Sequence, residues 1–252
     1  VLSPGFTATY YREQLRNLFS LRFIAGVRRS IRAADAVHIQ SVFSIYTLLA
    51  LRYATKYKKP VLLSPNGSLG KWSMEQGSRN KARFLQWFIR PYLSKILFHT
   101  SSQQEAEEIK TIFPQAACVI IANGVNLPEF RTILAPDRVS YLRKFAGITR
   151  DIDTKIVVCL CRLHKVKGLD ILIRSIQIIR QQGGNVILLI AGPDFGEKDF
   201  LEQLASDIGL SEHVFFTGEL GGADKIAFLQ GADVFALPSL HENFGIAYLE
   251  AL

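Results

Sequence analysis

The chain has 252 residues, of which 48% are hydrophobic and 21% charged, with a formal net charge of +8. That is enough apolar material for one large domain or two small ones, and no charge-free run of 18 apolar residues occurs, so no transmembrane helix is expected. The charge is uneven: residues 1–150 hold 22 Lys and Arg against 8 Asp and Glu, a net +14, whereas residues 151–252 hold 8 against 14, a net −6, which suggests two domains with different surfaces.

The opening "VLSPGFTATYYREQ" has no basic stretch followed by an apolar one, so it is not read as a signal peptide. It also lacks an initiator Met and reads as the start of a segment of a longer protein. "LRFIAGVRRSIRAA" follows. On a helix, Ile24, Val27 and Ile31 share one face, while Arg22, Arg28, Arg29 and Arg32 crowd the opposite one. Two readings stay open here: a core helix with a solvated face, or a patch for a membrane surface or an anionic acceptor.

Short apolar, β-branched runs then recur: "DAVHIQ", "PVLLS", "SKILFHT", "ACVIIA", "KIVVCL", "NVILLIAG", "HVFFTG" and "DVFALPS". Helical spacing fills most gaps, around 41–57, 75–94, 101–113, 168–182, 197–208 and 223–231. This alternation predicts parallel sheets wrapped by helices, an α/β fold. Continuously apolar runs such as "NVILLIAG" fit strands buried on both faces. Ser102 with Glu105 reads as a capping box at a helix start. His38 ends the first strand near the expected cleft; a packed or surface role is favoured there over a site role, as it is for His99 and His164.

The alternation breaks over residues 123–153, which carry prolines, glycine, charge and one short helical stretch at 137–146. This is read as a linker, giving an N-terminal domain over 1–150 and a second over 151–252. Two such domains side by side form a cleft, with ligands at the carboxyl ends of the strands. Cys118, Cys159 and Cys161 have no CxxC spacing, so neither a disulfide framework nor a zinc site is expected. Cys159 and Cys161 read as buried, inert thiols, and a reducing cytoplasm is expected.

The second half carries the chemistry. In "CRLHKVKGLDILIRSI" a strand ends at Arg162 and Lys167, with Gly168 opening a helix. A guanidinium fork and a mobile ammonium, five residues apart across a loop, suit a diphosphate and the charge it gains as a leaving group. In "PSLHENFGIAYLEAL" a buried strand ends in a loop and a helix follows. Asn243 is the expected N-cap, and Gly245 lets the backbone approach a ligand. The helix start could hold phosphate or sugar oxygens. Glu242 and Glu250 flank this turn and can each accept hydrogen bonds from vicinal hydroxyls. His241 beside them is read as shaping the loop. Alone, two such glutamates are ordinary solvated side chains; the cationic loop upstream gives them a context.

These segments resemble glycosyltransferase family 4, the retaining enzymes of GT-B fold. "CRLHKVKGLDILIRSI" is similar to its G-R-L…K-G segment and "PSLHENFGIAYLEAL" to its E-x7-E motif. "LLIAGP", "VFFTGEL" and "GADVFALPS" match in order and spacing, and "ADAVHIQS", "PVLLSPNGSL", "ILFHTSSQQEAEEI" and "VIIANGV" resemble the acceptor-side domain. The resemblance implies two Rossmann-like domains facing a cleft, both incomplete here. The family's glycine-rich loop after the first strand and its C-terminal crossing helix have no counterpart. It implies transfer of a sugar from a nucleotide-diphosphate sugar, UDP- or GDP-linked, to an acceptor glycan or lipid-linked sugar, with retention of configuration. The leaving phosphate itself would assist the acceptor hydroxyl. Arg162 and Lys167 would hold the diphosphate, Glu250 the ribose, and Glu242 would lie beside the transferred sugar. Asn243, Phe244, Gly245 and Gly218 would complete the donor site, and Asn66, Gly67 and His38 would lie on the acceptor side. No cofactor and no metal are implied.

Two positions depart from the family pattern. Asn66 stands where many members have His, and an amide cannot act as a base near neutral pH. Cys161 replaces a glycine before Arg162. Other readings are a GT-B enzyme of other chemistry, such as an epimerase or phosphorylase, or a basic membrane- or nucleic-acid-binding module. No nucleic-acid-binding motif is present, so nucleic acid is not an expected partner. A cytoplasmic protein, peripheral on a membrane through its basic half, is expected.

Overall fold

The computed structural model of the chain describes residues 8, 21–76, 78–125, 135–149 and 153–252. Apart from residue 8, the opening segment "VLSPGFTATYYREQ" lies outside them, as do residues 126–134 and 150–152 of the expected linker. The chain divides into two compact units, Val1–Ala122 and Asn123–Leu252.

In the first unit, α1 (Leu21–Ala33) precedes β1 (Val37–Gln40), and α2 (Ile45–Lys56) leads to β2 (Val61–Ser64). Ser44 starts α2 by accepting the Tyr46 N–H at 3.1 Å, an N-cap that satisfies one orphan donor. The expected helix at 75–94 is broken. It consists of α3 (Lys71–Glu75), α4 (Ser78–Phe84), a wide turn over Leu85–Ile89 and a tight 3-10 turn over Arg90–Lys95. Pro91 explains the far end. Its ring crowds the carbonyl four residues back, and the Arg90 N–H bonds the Leu85 carbonyl five back instead. β3 (Ile96–Thr100), α5 (Gln103–Ile112) and β4 (Ala117–Ile120) complete the unit.

The four strands are parallel, in the order β1-β2-β3-β4. Sequential neighbours joined by right-handed crossovers put every connecting helix on one side. The core agrees: Ile39, Val61, Leu63, Ile96 and Phe98 face Ile31 of α1, Ala50 and Leu51 of α2 and Ile109 of α5. Of the two readings of α1, the apolar face does reach this core, and the four arginines are exposed. On the other side of the sheet His38, Gln40 and Leu97 are exposed, Leu97 by 41%. The described residues therefore cover this sheet on one face only.

The second unit begins with α6 (Arg138–Ala146), capped by Asp137, whose side chain accepts the Ser140 N–H at 3.0 Å. Gly147 ends it in the left-handed conformation, φ 71°. The sequence boundary at 150/151 is thus displaced. Tyr141, Leu142 and Phe145 are core residues of the second unit, and the Tyr141 hydroxyl donates to the Phe228 carbonyl at 2.7 Å. These long-range contacts tie α6 to the second unit, which begins at Asn123.

Here β5 (Lys155–Leu160), β6 (Val186–Ala191), β7 (Val214–Gly218) and β8 (Val234–Phe235) form a parallel sheet in the order β7-β6-β5-β8. α7 (Leu169–Gln181), α8 (Lys198–Asp207) and α9 (Gly222–Gln230) connect them, and α10 (Ile246–Ala251) follows β8. β6 is buried at every residue, as its unbroken apolar run predicts. This sheet has a core on each face: Val157, Cys159, Leu188 and Ile190 pack on one, Ile156, Val158, Ile187 and Leu189 on the other. "DVFALPS" departs from the expected buried strand. Among the described residues β8 pairs with β5 alone, at two positions, and Val234 is 51% exposed.

Candidate functional site

β5 ends at Leu160, and its continuation carries Cys161 and Arg162 into a loop. A 3-10 turn over Lys165–Lys167 follows, then Gly168, the residue before α7. Gly168 has φ 63°, and a Cβ there would stand 2.3 Å from the Pro238 carbonyl oxygen. Only glycine admits both that dihedral and that approach. The Leu240 N–H bonds the Val166 carbonyl at 2.8 Å. The loops after β5 and β8 are therefore stitched backbone to backbone, and their side chains converge.

The convergence joins Lys167 to Glu242: Nζ lies 2.6 Å from Oε2, with Lys167 11% and Glu242 27% exposed at the side chain. The Ser239 hydroxyl donates to the same oxygen at 3.2 Å. Arg162 is not part of this pair. It is exposed, its guanidinium carbon 5.2 Å from the centre of the Phe195 ring, a cation–π contact that keeps the fork at the surface. Glu250 pairs with Lys225 of α9, 2.6 Å apart and 15% and 27% exposed. Lys225 and Ser239 were not anticipated: Lys225 lies 25 positions from its partner, and Ser239, three before Glu242, meets it only through the fold of the loop.

Cys161 is a second surprise. It is half-buried, its sulfur 3.7 Å from that of Cys159 in a thiol–thiol contact. That contact, with help from Lys167 and Arg162, draws the Cys161 thiol below its usual pKa, against burial and Glu242. The reading of both cysteines as inert holds for the geometry of Cys159, which is fully buried. Cys161 instead lies in the electrostatic reach of three expected site residues.

The turn before α10 differs from expectation. Gly245, not Asn243, precedes the helix, in the left-handed region at φ 71°, and no side chain caps it. A Cβ on Gly245 would meet the Tyr248 ring at 2.5 Å and Glu242 Cγ at 3.2 Å. The first two peptides after Glu242 thus belong to the loop, and Asn243 and Phe244 lie half-buried in it. His241 Nε2 is buried with no hydrogen-bond partner among the described residues. Gly218 ends β7 at φ 77°, its carbonyl accepting the Gly192 N–H at 2.8 Å.

On the first unit, Asn66 and Gly67 follow β2 with φ 52° and 77°. Glu105, 2% exposed, holds this turn: one carboxylate oxygen accepts the Gly67 N–H at 2.8 Å, and the other accepts the Ser101 N–H at 2.8 Å and its hydroxyl at 3.1 Å. The capping box is therefore half realised. Ser102 accepts the Glu105 N–H at 3.1 Å, while the Glu105 carboxylate ties two strand-end loops together. His38 lies 2.7 Å from the Ser64 hydroxyl oxygen, which also meets His99 at 2.7 Å. Among the described residues no group of three or more His, Cys, Asp or Glu is placed to hold a metal, and no helix is long and apolar enough to cross a membrane.

Two units, each built on a parallel four-stranded sheet, define an α/β architecture, and comparison with known proteins specifies it. The family model described as Glycosyltransferase Family 4 matches residues 3–129, and that described as Glycosyl transferases group 1 matches residues 143–252. The chain belongs to glycosyltransferase family 4. Among solved structures, Anabaena HepE in complex with UDP is similar with a TM-score of 0.70 at 22% identity, over 91% of this chain and 60% of that one. Sucrose-phosphate synthase from Thermosynechococcus elongatus gives 0.69 at 19% identity, over 95% and 61%. These likenesses show the GT-B fold. A GDP-mannose-dependent alpha-(1-6)-phosphatidylinositol monomannoside mannosyltransferase of Mycolicibacterium smegmatis is 35% identical over 55% of this chain and 36% of its own. The monoacylated-acceptor counterpart of Corynebacterium glutamicum is 32% identical over 76% and 49%. The chain spans about half or less of the length of these relatives.

Proposed function

We propose that the protein transfers a sugar from a nucleotide-diphosphate sugar to a glycan or lipid-linked acceptor, with retention of configuration at the anomeric carbon. The observation that carries this reading is the Lys167–Glu242 pair, 2.6 Å apart at the meeting of the β5 and β8 loops, with exposed Arg162 at the start of the same β5 loop. In this reading Lys167 and Arg162 receive the diphosphate and stabilise it as it leaves, so that no metal is needed there. Glu242 orients Lys167 before the donor arrives and accepts hydrogen bonds from the transferred sugar afterwards. Glu250, held by Lys225, accepts from the ribose hydroxyls. The GDP-mannose-dependent relatives support a GDP-linked donor and a phosphoinositide-type acceptor, and the UDP complex of HepE keeps a UDP donor in view. Contact with a membrane surface, from the cytoplasmic side, follows from a lipid acceptor. Exposed Arg28, Arg29 and Arg32 of α1 support it, as do exposed Trp87 and Phe88 between Arg83 and Arg90.

The test is calorimetric titration of the chain with UDP, GDP and ADP, repeated with Arg162→Ala and Glu250→Ala. Binding of one nucleotide, weakened in both variants, is the expected result. Silence with all three, in this chain and in any longer form that contains it, would sink the donor site.

A further inference from the structure

Ser64 stands between two imidazoles. His38 Nε2 and His99 Nδ1 each lie 2.7 Å from its hydroxyl oxygen, and His99 Nε2 lies 3.0 Å from the Ile121 carbonyl oxygen. The two rings meet edge to face, centroids 5.9 Å apart. One strand each of β1, β2 and β3 supplies the three residues. Ser64 closes β2 and His99 is next to last in β3, towards the carboxyl ends of the strands, where open α/β sheets bind ligands, whereas His38 is the second residue of β1 and does not end its strand as expected.

Donor and acceptor counting assigns every proton in this chain of bonds. A carbonyl oxygen can only accept, so His99 Nε2 carries a hydrogen and donates it. In neutral His99 the other nitrogen, Nδ1, is then a lone pair and takes the Ser64 O–H. With its only proton committed, the Ser64 oxygen accepts from His38, whose Nε2 therefore carries the hydrogen. What remains is His38 Nδ1, a lone pair that no hydrogen bond reaches among the described residues. The contrast between the two histidines is informative. His99 has both ring nitrogens satisfied, as a structural histidine should; His38 has one nitrogen fixed and one presented, on an exposed residue. Burial, and then the neighbouring His99, lower the His38 pKa and so favour this neutral form.

We propose that His38 Nδ1 is the contact for the reacting hydroxyl of the acceptor, and that Ser64 and His99 are positioning residues that lock the ring with this nitrogen as the acceptor of a hydrogen bond. The inference rests on the transferase reading above and gives its acceptor side a specific atom. An alcohol O–H is the donor that a fixed imidazole lone pair selects. It also supplies a basic nitrogen, which Asn66 cannot: the amide oxygen of Asn66 accepts a hydrogen bond but takes up no proton near neutral pH.

The experiment is long-range proton–nitrogen correlation on the chain labelled with nitrogen-15 histidine, titrated near neutral pH with methyl α-D-mannopyranoside as the hydroxyl probe. His38 is expected as a single tautomer with hydrogen on Nε2, and its Nδ1 resonance moves with the probe while that of His99 does not. Ser64→Ala weakens the response about five-fold, the worth of one ordinary hydrogen bond, and Ser64→Thr, which keeps the hydroxyl, restores it. A hydrogen found on His38 Nδ1, or an Nδ1 resonance unmoved by the probe in the unsubstituted chain, overturns the proposal. Nucleotide binding with a motionless Nδ1 defeats this inference alone; a moving Nδ1 without nucleotide binding defeats only the donor reading.

Discussion

Lys167 and Glu242, 75 positions apart in the chain, meet at 2.6 Å because Gly168 lets the Pro238 carbonyl come within reach of its α-carbon. The pair is mostly shielded from water, so removing one partner leaves the other poorly solvated. Its two members have different expected ligands, and substitution separates them. Lys167→Ala is expected to weaken nucleoside diphosphate binding by about 10- to 100-fold, the worth of a charge-assisted bond of about 1.5–3 kcal/mol. Glu242→Gln leaves the free diphosphate within about three-fold and weakens the intact nucleotide sugar more. Titrating both variants with GDP and GDP-mannose checks this; equal losses for both ligands in Glu242→Gln would contradict the assigned roles.

Gly168→Ala tests the stitching itself. The added Cβ meets a backbone oxygen at 2.3 Å and sits at a positive φ, so the loops after β5 and β8 must part. A loss of about 1–3 kcal/mol of stability is expected, read from urea unfolding. Gly147→Ala is the comparison: it shares the left-handed dihedral, φ 71°, and has nothing within 4 Å of the new Cβ. Its smaller cost isolates the contribution of contact.

Glu250 is expected to read the ribose. The unsubstituted chain should prefer GDP over its 2′,3′-dideoxy analogue by about ten-fold, and Glu250→Ala should bind both alike, since roughly one to two hydrogen bonds to a carboxylate are at stake. Competition calorimetry measures this preference. An undiminished preference in Glu250→Ala would move the ribose contact elsewhere.

Acid stability should depend on Asp233, which stands before β8. Burial works to raise its pKa, but the Ile156 N–H at 2.8 Å and the charges of Lys155 and Arg138 hold it below the ordinary value. A depressed carboxyl contributes stability above its unfolded pKa, about 4, and loses it as pH falls through the folded value. Asp233→Asn should therefore cost stability at neutral pH and flatten the fall below about pH 4. Denaturation midpoints between pH 3 and 7 give the comparison; parallel curves for the two proteins would refute it.

A surface-binding role predicts salt-sensitive sedimentation with vesicles containing phosphatidylglycerol, and none with purely zwitterionic ones. Replacing Arg28, Arg29 and Arg32 by Gln should lower the bound fraction severalfold, since each basic residue near an anionic surface is worth about 1 kcal/mol. Sedimentation unaffected by the triple substitution would remove α1 from the contact.

Much of the fold was legible from periodicity. All eight apolar runs contain a strand, because alternation of buried β runs and helical spacing is a local signal. What failed was set by neighbours in space. "DVFALPS" reads as buried, yet among the described residues β8 pairs with β5 at two positions and Val234 is half exposed. The 123–153 segment reads as linker, yet Tyr141 reaches Phe228 across 87 positions. At the site, Arg162, Lys167, Glu242 and Glu250 stood out by type and spacing. Their partners Ser239 and Lys225 did not, nor did Ser64 and His99 beside His38: Ser239 meets Glu242 through the fold of one loop, and the other pairings exist only once distant segments align.

The alternation of β5 has one more consequence. Ile156 and Val158 belong to one core of the second unit, Val157 and Cys159 to the other. The strand is a party wall. Residues joined by a peptide bond occupy different rooms, so truncations at Ile156 and Val157 should act independently, while Val157 should couple to Leu188 on the next strand. In this unit, adjacency along the chain is a poor guide to who feels whose absence.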